Sequence, residues 1–391
     1  ITIGPENSIL DVKKIIREKS ISGIPVVNIQ NKILGIITNR DLRFSRNDKA
    51  KGKDLMTKNV ITIKQGYSSN EAKKLLHKHR IEKLIVTNNQ RQCLGLITVK
   101  DIEKSEKFTL ASKDKKKSLL VGAAVGVGLD GVSRAKALMD ANCDFLVVDT
   151  AHGHSLAVID TVKKIRSINS KITLIAGNIA TEEAAIELAK LKVNAVKVGI
   201  GPGSICTTRV VAGIGVPQFS AIVNVKRGLK RFKDVKLIAD GGIRYSGDIA
   251  KALGAGADAV MIGSLFAGTD ETPGEIFFYQ GRSYKSYRGM GSISAMARGS
   301  ADRYFQQDIK DQLKLVPEGV EGRVPYRGPV KNIIEQLVGG LKSSMGYLGA
   351  KNLKEFQTNA KFIEISNSGI KEGHVHDVQI TKQSPNYPVN D

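Results

Sequence analysis

A chain of 391 residues with 39 glycines, three cysteines and no tryptophan has room for two to three domains, and the scattered Cys93, Cys143 and Cys206 exclude a disulfide framework or a zinc site. No apolar run is long enough to span a bilayer, so the expectation is a cytoplasmic protein in a reducing compartment, with no membrane partner. The formal charge is +22, and 26 Lys and Arg stand against 12 Asp and Glu in residues 1–120. Without interleaved aromatics this reads as lysine-rich solvated faces, and nucleic acid is not expected as the main ligand.

The chain opens on a repeat with an offset of 60 residues. Thr2-Ile3 matches Thr62-Ile63, Asp11-Val12-Lys13-Lys14 matches Glu71-Ala72-Lys73-Lys74, and Gly35-Ile36-Ile37-Thr38 matches Gly95-Leu96-Ile97-Thr98. Each unit reads as an amphipathic helix, a short strand (24–28; 84–87), a turn, a second strand (33–38; 93–98) and a helix start. Neither buries much alone, so the two are expected to pack together. Both end in Thr-x-x-Asp, Thr38/Asp41 and Thr98/Asp101, which serves a helix cap or, with a nucleotide present, ribose hydroxyls beside helix-end amides. Ser22-Gly23-Ile24-Pro25-Val26-Val27 followed by Gly-Ile-Ile-Thr-Asn-Arg-Asp resembles the cystathionine β-synthase (CBS) domain. Such domains work in tandem and often bind adenine or guanine nucleotides. The resemblance implies one domain over 1–51, incomplete at its start, and a second over 52–112, where Glu82-Lys83-Leu84-Ile85 lacks the common proline.

A lysine-rich connector follows at 103–118. Six short apolar strands then alternate with helical stretches: 119–124, 145–149, 172–177, 195–199, 236–240 and 259–263. This rhythm predicts parallel α/β architecture, and its chemistry-bearing residues fall at strand C-termini, as in a (β/α)8 TIM barrel. Six strands are two short, and the chain begins at Ile1. The expectation is an N-terminally truncated barrel whose first two strands lie upstream, with the tandem CBS pair inserted between strands 2 and 3. The 391 residues alone are then expected to turn over little substrate. An open doubly wound sheet is the alternative.

On that count the loops after strands 7 and 8 are Asp240-Gly241-Gly242-Ile243 and Gly263-Ser264, where barrels commonly bind phosphate. Glycine amides close on phosphate oxygens, the serine adds a donor, and Asp240 accepts from sugar hydroxyls. The loop after strand 6, Gly199 to Thr208, packs three glycines and a proline ahead of Ser204-Ile205-Cys206-Thr207-Thr208. Cys206 is therefore a nucleophile candidate, whereas Cys93 and Cys143 read as structural.

Four stretches resemble the inosine-monophosphate dehydrogenase family: Gly199-Ile-Gly-Pro-Gly-Ser-Ile-Cys-Thr-Thr-Arg209, Ile238 to Asp248, Tyr279 to Ser292 and Glu321-Gly-Arg-Val-Pro-Tyr-Arg-Gly328. The likeness runs from the CBS pair to His374-Val-His-Asp377 and Ser384-Pro-Asn-Tyr387. It implies oxidation of inosine 5′-monophosphate (IMP) to xanthosine 5′-monophosphate with NAD, a committed step of guanine nucleotide synthesis, through a Cys206 thioimidate. Ser204, Asp240, Gly241, Gly242, Gly263, Ser264 and Tyr287 would hold the ribose phosphate; Arg288, Gly289, Met290, Gly291 and Glu318 would serve the base. Asp149, Thr150, Ala151, Asn178, Gly199, Ile200 and Gly201 would bind NAD. A mobile flap over about 292–330 would bring Arg323 and Tyr326 in to hydrolyse the adduct, with Thr208 and Glu318 as a second proton route. Guanidinium almost never loses its proton, so an arginine base needs a site that stabilises the neutral form.

The family resemblance also implies a homotetramer and a potassium ion. Carbonyls of Gly201, Gly203 and Cys206 would hold it, joined by Glu372, Gly373 and His374 of a neighbouring subunit. Gly373 replaces a serine common in bacterial relatives, which matters little if the carbonyl binds. Two rivals stand: a guanosine-monophosphate reductase using NADPH, which has no need of a hydrolytic flap, and a catalytically silent CBS nucleotide sensor.

Overall fold

The computed structural model describes all residues except 46, 116, 117, 307, 308, 310, 383 and 388–391. Parts of the expected connector and flap therefore lie outside the described residues. The chain divides into two compact units, Ile1–Leu119 and Leu120–Asp391.

In the first unit, β1 (Gly23–Val27) pairs antiparallel with β2 (Ile33–Thr38), and Ile3 lies parallel to Val26. The second repeat copies this: β3 (Thr62–Lys64) runs parallel to β4 (Lys83–Thr87), which pairs antiparallel with β5 (Cys93–Thr98). The helices Ile9–Glu18 and Ser69–His79 begin at capping serines, Ser8 and Ser68, whose side chains accept from Asp11 and Glu71 amides. Each repeat has its own small core, around Ile9, Val12, Ile24 and Ile37 and around Ile63, Ala72, Leu76 and Leu84. A third cluster of Val27, Ile36, Ile85 and Cys93 draws on both. Neither core would outweigh chain entropy alone; the shared cluster is what completes the unit. The two Thr-x-x-Asp motifs are both capping boxes, with Asp41 and Asp101 accepting from the Thr38 and Thr98 amides at 2.7 and 2.9 Å. The first part of the expected connector is helical, within Val99–Lys107.

The second unit is built on six parallel strands: β6 (Gly122–Val125), β7 (Phe145–Asp149), β8 (Thr173–Ile179), β9 (Ala195–Val198), β10 (Lys236–Asp240) and β11 (Ala259–Met261). They hydrogen-bond strictly in sequence order, from β6 at one edge to β11 at the other. A doubly wound sheet reverses its strand order at a switch point, and this one never does; the order is that of a barrel wall. Helices Gly128–Asp140, Leu156–Ile168, Glu182–Lys190, Gln218–Gly228 and Ser246–Gly254 follow successive strands, as right-handed crossovers require. Leu146, Val148, Leu174, Ala176, Val196, Leu237 and Ala239 belong to one core with the buried faces of these helices.

After β11 comes a feature that periodicity did not predict. A three-stranded antiparallel sheet is formed by β12 (Ile276–Tyr279), β13 (Arg282–Arg288) and β14 (Glu321–Pro325). The intervening segment 293–304 coils in short helical turns. The long helix Val330–Tyr347 and helix Leu353–Asn359 then pack on Ser246–Gly254. Among the described residues, no helix is long and apolar enough to cross a membrane.

Candidate active site

The C-terminal ends of four neighbouring strands bring Asp149 (β7), Asn178 (β8), Lys197 (β9) and Asp240 (β10) together. Every residue of β9 is buried, and Lys197 sits among them at 5% exposure. A buried ammonium is tolerable only when paired. Its Nζ lies 2.9 Å from Asp149 Oδ1 and 2.5 Å from Asp240 Oδ2. Asn178 Nδ2 donates to the same Asp240 oxygen and to the Gly199 carbonyl, both at 2.9 Å, while its Oδ1 is buried with no partner. Gln218 supports the group from behind, donating to the carbonyls of Val198 and Asp240.

The second carboxylate is also covered from above. Arg303 reaches back 154 residues, its Nη1 lying 2.8 Å from Asp149 Oδ2 and 3.0 Å from the Asp149 carbonyl. Burial works to raise the Asp149 pKa, but Lys197 and Arg303 outweigh it and hold the carboxyl below its usual range. Asp302 docks nearby, since a Cβ on Gly126 would meet its carboxylate oxygen at 2.7 Å.

Cys206 lies in a loop fixed by main-chain hydrogen bonds. Its N–H donates to Gly203, Thr207 N–H donates to the Glu318 carbonyl and Val320 N–H donates to Ile205, at 3.1, 2.9 and 3.0 Å. The same stretch binds the 289–291 turn, through Gly289 N–H to Val320 and Glu318 N–H to Gly291. The nucleophile loop and the expected base-facing segments thus form one layer. Sγ is 3.2 Å from Thr208 Oγ1, and Arg209 ties the loop back through Ile200 and Val216 carbonyls. Cys143, by contrast, is half-buried with its thiol on the Phe145 carbonyl, and Cys93 is buried.

Beside the loop opens a cleft of about 400 Å³ whose walls include Ser204, Asp240, Gly241, Gly242, Gly263, Ser264 and Tyr287. These are the seven residues expected to hold a ribose phosphate, and Arg209, Gln218 and Arg244 join them. Gly241 has φ +88°, and a Cβ there would lie 2.9 Å from Pro202 Cγ, so the close backbone approach requires glycine. Burial pushes the Tyr287 hydroxyl up, against a hydrogen bond with Ser204. Arg288 does not line the cleft; it is exposed and donates to Ser294 Oγ at 3.3 Å.

The expected hydrolytic pair, Arg323 and Tyr326, is engaged on Tyr279 and Asp270 in this structure. Arg323 sits in β14, its guanidinium 3.5 Å over the Tyr279 ring, and Tyr326 donates to Asp270 at 2.5 Å. Both are fastened to the antiparallel sheet, because β14 is paired with β13 along its length and Tyr326 N–H bonds Ser283. The segment at the site carries a different pair, Arg303 and Tyr304. The Tyr304 ring packs against Gly291, where a Cβ would come within 2.8 Å of Cζ. Burial raises its pKa, Arg303 lowers it, and the charges of Cys206 and Glu318 are near enough to raise it further. The signal in the sequence is the adjacent dipeptide in Ala-Asp-Arg-Tyr-Phe.

Of the remaining expected residues, Thr150 is buried with its hydroxyl on the Gly177 carbonyl, Ala151 is half-buried, and Ile200 is buried. Met290 is half exposed beside the layer. Glu372 ends helix Asn367–Glu372, Gly373 caps it, and His374 Nδ1 lies 2.7 Å from Tyr387 Oη with its ring near Tyr245. Among the described residues no cluster of His, Cys, Asp and Glu could hold a metal ion. A carbonyl site for a monovalent cation draws on other atoms. Gly203 O already accepts the Cys206 N–H and keeps a second lone pair free, which suits such an ion.

Residues 11–376 match the model of the IMP dehydrogenase / GMP reductase domain. The chain belongs to the IMP dehydrogenase/GMP reductase family. Within it, the inosine-5′-monophosphate dehydrogenase of Rhizobium tropici is 52% identical over 383 residues, 97% of this chain and 77% of that protein. That of Helicobacter pylori (strain J99) is 53% identical over 388 residues, 99% and 80%. A solved structure of a cysteine-to-alanine variant of GMP reductase from Trypanosoma brucei, in complex with guanosine 5′-monophosphate, superposes with a TM-score of 0.82. It is 40% identical, covering 97% of this chain and 79% of that one. The parallel sheet is accordingly TIM-barrel wall.

Proposed function

We propose that the protein is an NAD-dependent IMP dehydrogenase that works through a covalent adduct on Cys206. The observation that carries this is the junction at one cysteine of a phosphate-sized cleft, a pair of strand-end carboxylates and a docked Arg–Tyr segment. With the phosphate on the Gly241 and Gly242 amides, Ser204, Ser264 and Tyr287, and the ribose on Asp240, the purine reaches the layer formed by Gly289, Met290, Gly291 and Glu318. The Cys206 thiolate bonds to C2 of the hypoxanthine ring, and C2 gives up its hydrogen with two electrons. NAD, when bound, supplies the acceptor for them. Asp149, Thr150, Ala151, Asn178, Gly199, Ile200 and Gly201 fit it: the unpartnered Asn178 Oδ1 awaits a donor, and Asp149 is an ionised acceptor for ribose hydroxyls.

Water then adds to C2, its proton passes to the protein, and the C–S bond breaks to restore the thiolate and release xanthosine monophosphate. Arg303 and Tyr304 take the part that the family resemblance had given to Arg323 and Tyr326. Arg303 pairs with Asp149, so it occupies the acceptor the cofactor ribose would use, and the segment and the cofactor alternate there. Thr208, 3.2 Å from Sγ, and Glu318 give a second path for the proton. Gly201, Gly203 and Cys206 carbonyls would hold potassium, with Glu372, Gly373 and His374 contributed across a homotetramer. In the first unit, a cleft of about 330 Å³ between the repeats, with Pro25, Asn31 and Gly95 in its walls, would take an adenine or guanine nucleotide.

Purified protein given IMP, NAD and potassium should produce NADH absorbance, at a low rate for these 391 residues alone, and Cys206→Ala should abolish it, a loss of at least about a thousandfold against the full-length protein. Turnover that survives this substitution would overturn the mechanism. Oxidation of NADPH with guanosine monophosphate in its place would mark a GMP reductase. Neither reaction, with nucleotide binding at the repeats alone, would mark the silent sensor.

A further inference from the structure

Lys197 is a buried ionisable group for which the chemistry above has no use, and unlike buried Lys285, which donates to the Thr269 and Thr272 carbonyls, it is paired with carboxylates. Its strand, Ala-Val-Lys-Val, is otherwise apolar and wholly buried. The ammonium touches two carboxylates that come from different strands, Asp149 at the end of β7 and Asp240 at the end of β10. On the reading just given, on which this inference rests, one serves the cofactor ribose and the other the substrate ribose. We infer that Lys197 is a positioning residue that keeps both ribose-binding carboxylates ionised at once and so links the substrate half of the site to the cofactor half.

The argument is one of charge in a confined space. The two carboxylate oxygens can be no further apart than the sum of their 2.9 and 2.5 Å distances to Nζ. Two half-buried carboxylates that close cannot both stay ionised without a cation between them; one takes up a proton. A protonated carboxyl loses acceptor capacity and cannot take hydroxyl donors on both oxygens. The other groups facing the pair do not replace Lys197. Arg303, with Asp302 beside it, contacts Asp149 alone and belongs to the segment that leaves when the cofactor ribose arrives. Asn178 is neutral, and Tyr287, across the cleft near Asp240, is neutral with its pKa raised. Arg209 and Arg244 also line the cleft, but they are engaged on the Ile200 and Val216 carbonyls and on Asp248. Lys197 is fixed in a central strand and stays between the two carboxylates when both ligands are bound.

The test is IMP affinity by titration calorimetry on the full chain, without cofactor and with Arg303→Ala throughout so that no second cation neutralises Asp149, at several pH values from 7 to 9. Variants are compared at each pH, so the ligand's own titration cancels. In this background Lys197→Met should bind IMP about tenfold more weakly than the form with Lys197 at pH 7 and approach it towards pH 9, as the conflicting proton is lost. Adding Asp149→Asn to Lys197→Met should recover most of the loss at pH 7, because the remaining carboxylate no longer has a rival. Lys197→Arg keeps the charge and should keep the flat profile. A loss that is uniform in pH and unrelieved by Asp149→Asn would show a merely structural lysine, and equal affinity at every pH would likewise overturn the inference. If thermal melts show Lys197→Met unfolded, Lys197→Gln, neutral and similar in length, carries the same comparison. Wild type that binds no IMP would instead sink the proposed function, a separate outcome.

Discussion

Two arginine–tyrosine pairs of the second unit, Arg323 with Tyr326 and Arg303 with Tyr304, teach opposite lessons. Arg323 and Tyr326 lie in a long motif shared with the family, yet the structure engages them within a sheet, on Tyr279 and Asp270. Arg303 and Tyr304 lie in a short helical turn, and they meet Asp149 and the Gly291 turn. The difference is mechanical. β14 is paired along its length with β13, so moving Arg323 means breaking a ladder. The segment at 301–304 is a single 3-10 turn held by side chains, and such turns are cheap to lift. A residue that must enter and leave a site belongs on the second kind of element.

The largest effect that separates the two pairs should come from Arg303→Ala. Hydrolysis should slow by roughly 10²–10⁴-fold, the range of a lost acid–base group. The oxidation step should survive. Rapid mixing would then show a burst of NADH followed by slow turnover, with the Cys206 adduct trapped and visible by mass spectrometry. Equal loss of burst and turnover would break the assignment.

The same comparison shows which parts of the site were legible in the sequence. The gathering of the Cys206 loop and its neighbours at one cleft was, because glycines, serines and a cysteine in short strand-end loops stay where the strand order puts them. All seven expected phosphate-side residues face one cleft. Lys197 and Arg303 were not, because their meaning lies in partners far along the chain. A single lysine in a strand reads as a side chain that reaches solvent until the strand order β7-β8-β9-β10 is known. The sheet β12–β14 left one local trace, Gln280-Gly281 with φ of +47° and +76°, the turn of a tight hairpin. The reading of Thr38/Asp41 and Thr98/Asp101 was open between cap and ribose contact, and the structure shows caps.

A middle-sized effect concerns pH. The folded-state pKa of Asp149 is depressed, so the Arg303–Asp149 closure is complete above the ordinary carboxylate range and is lost only as pH falls through the lowered value. Between pH 6 and 8, hydrogen exchange at residues 301–304, corrected for its intrinsic pH dependence, should therefore be constant. It should speed up only in acid, below the ordinary carboxylate range. Loosening between pH 6 and 7 would mean that another group controls the docking.

The smallest effect should be that of Tyr326→Phe. Its hydroxyl donates to Asp270 in an exposed pair, where water replaces the lost partner at little cost. The hydrogen bond raises the Tyr326 pKa above its usual value near 10, as burial raises that of Tyr304, so position and not acidity separates the two. Turnover at pH 7–8 should accordingly stay within about twofold of wild type, and Tm should change by about 2 °C or less. The prediction is strict, because a hydrolytic tyrosine would cost far more when its hydroxyl is removed. A hundredfold fall in turnover with burst oxidation intact would return the hydrolytic role to Tyr326. It would also mean that β14 must peel from β13 in every cycle. Two small numbers, one kinetic and one thermal, thus decide which arginine–tyrosine pair belongs to the sheet and which to the reaction.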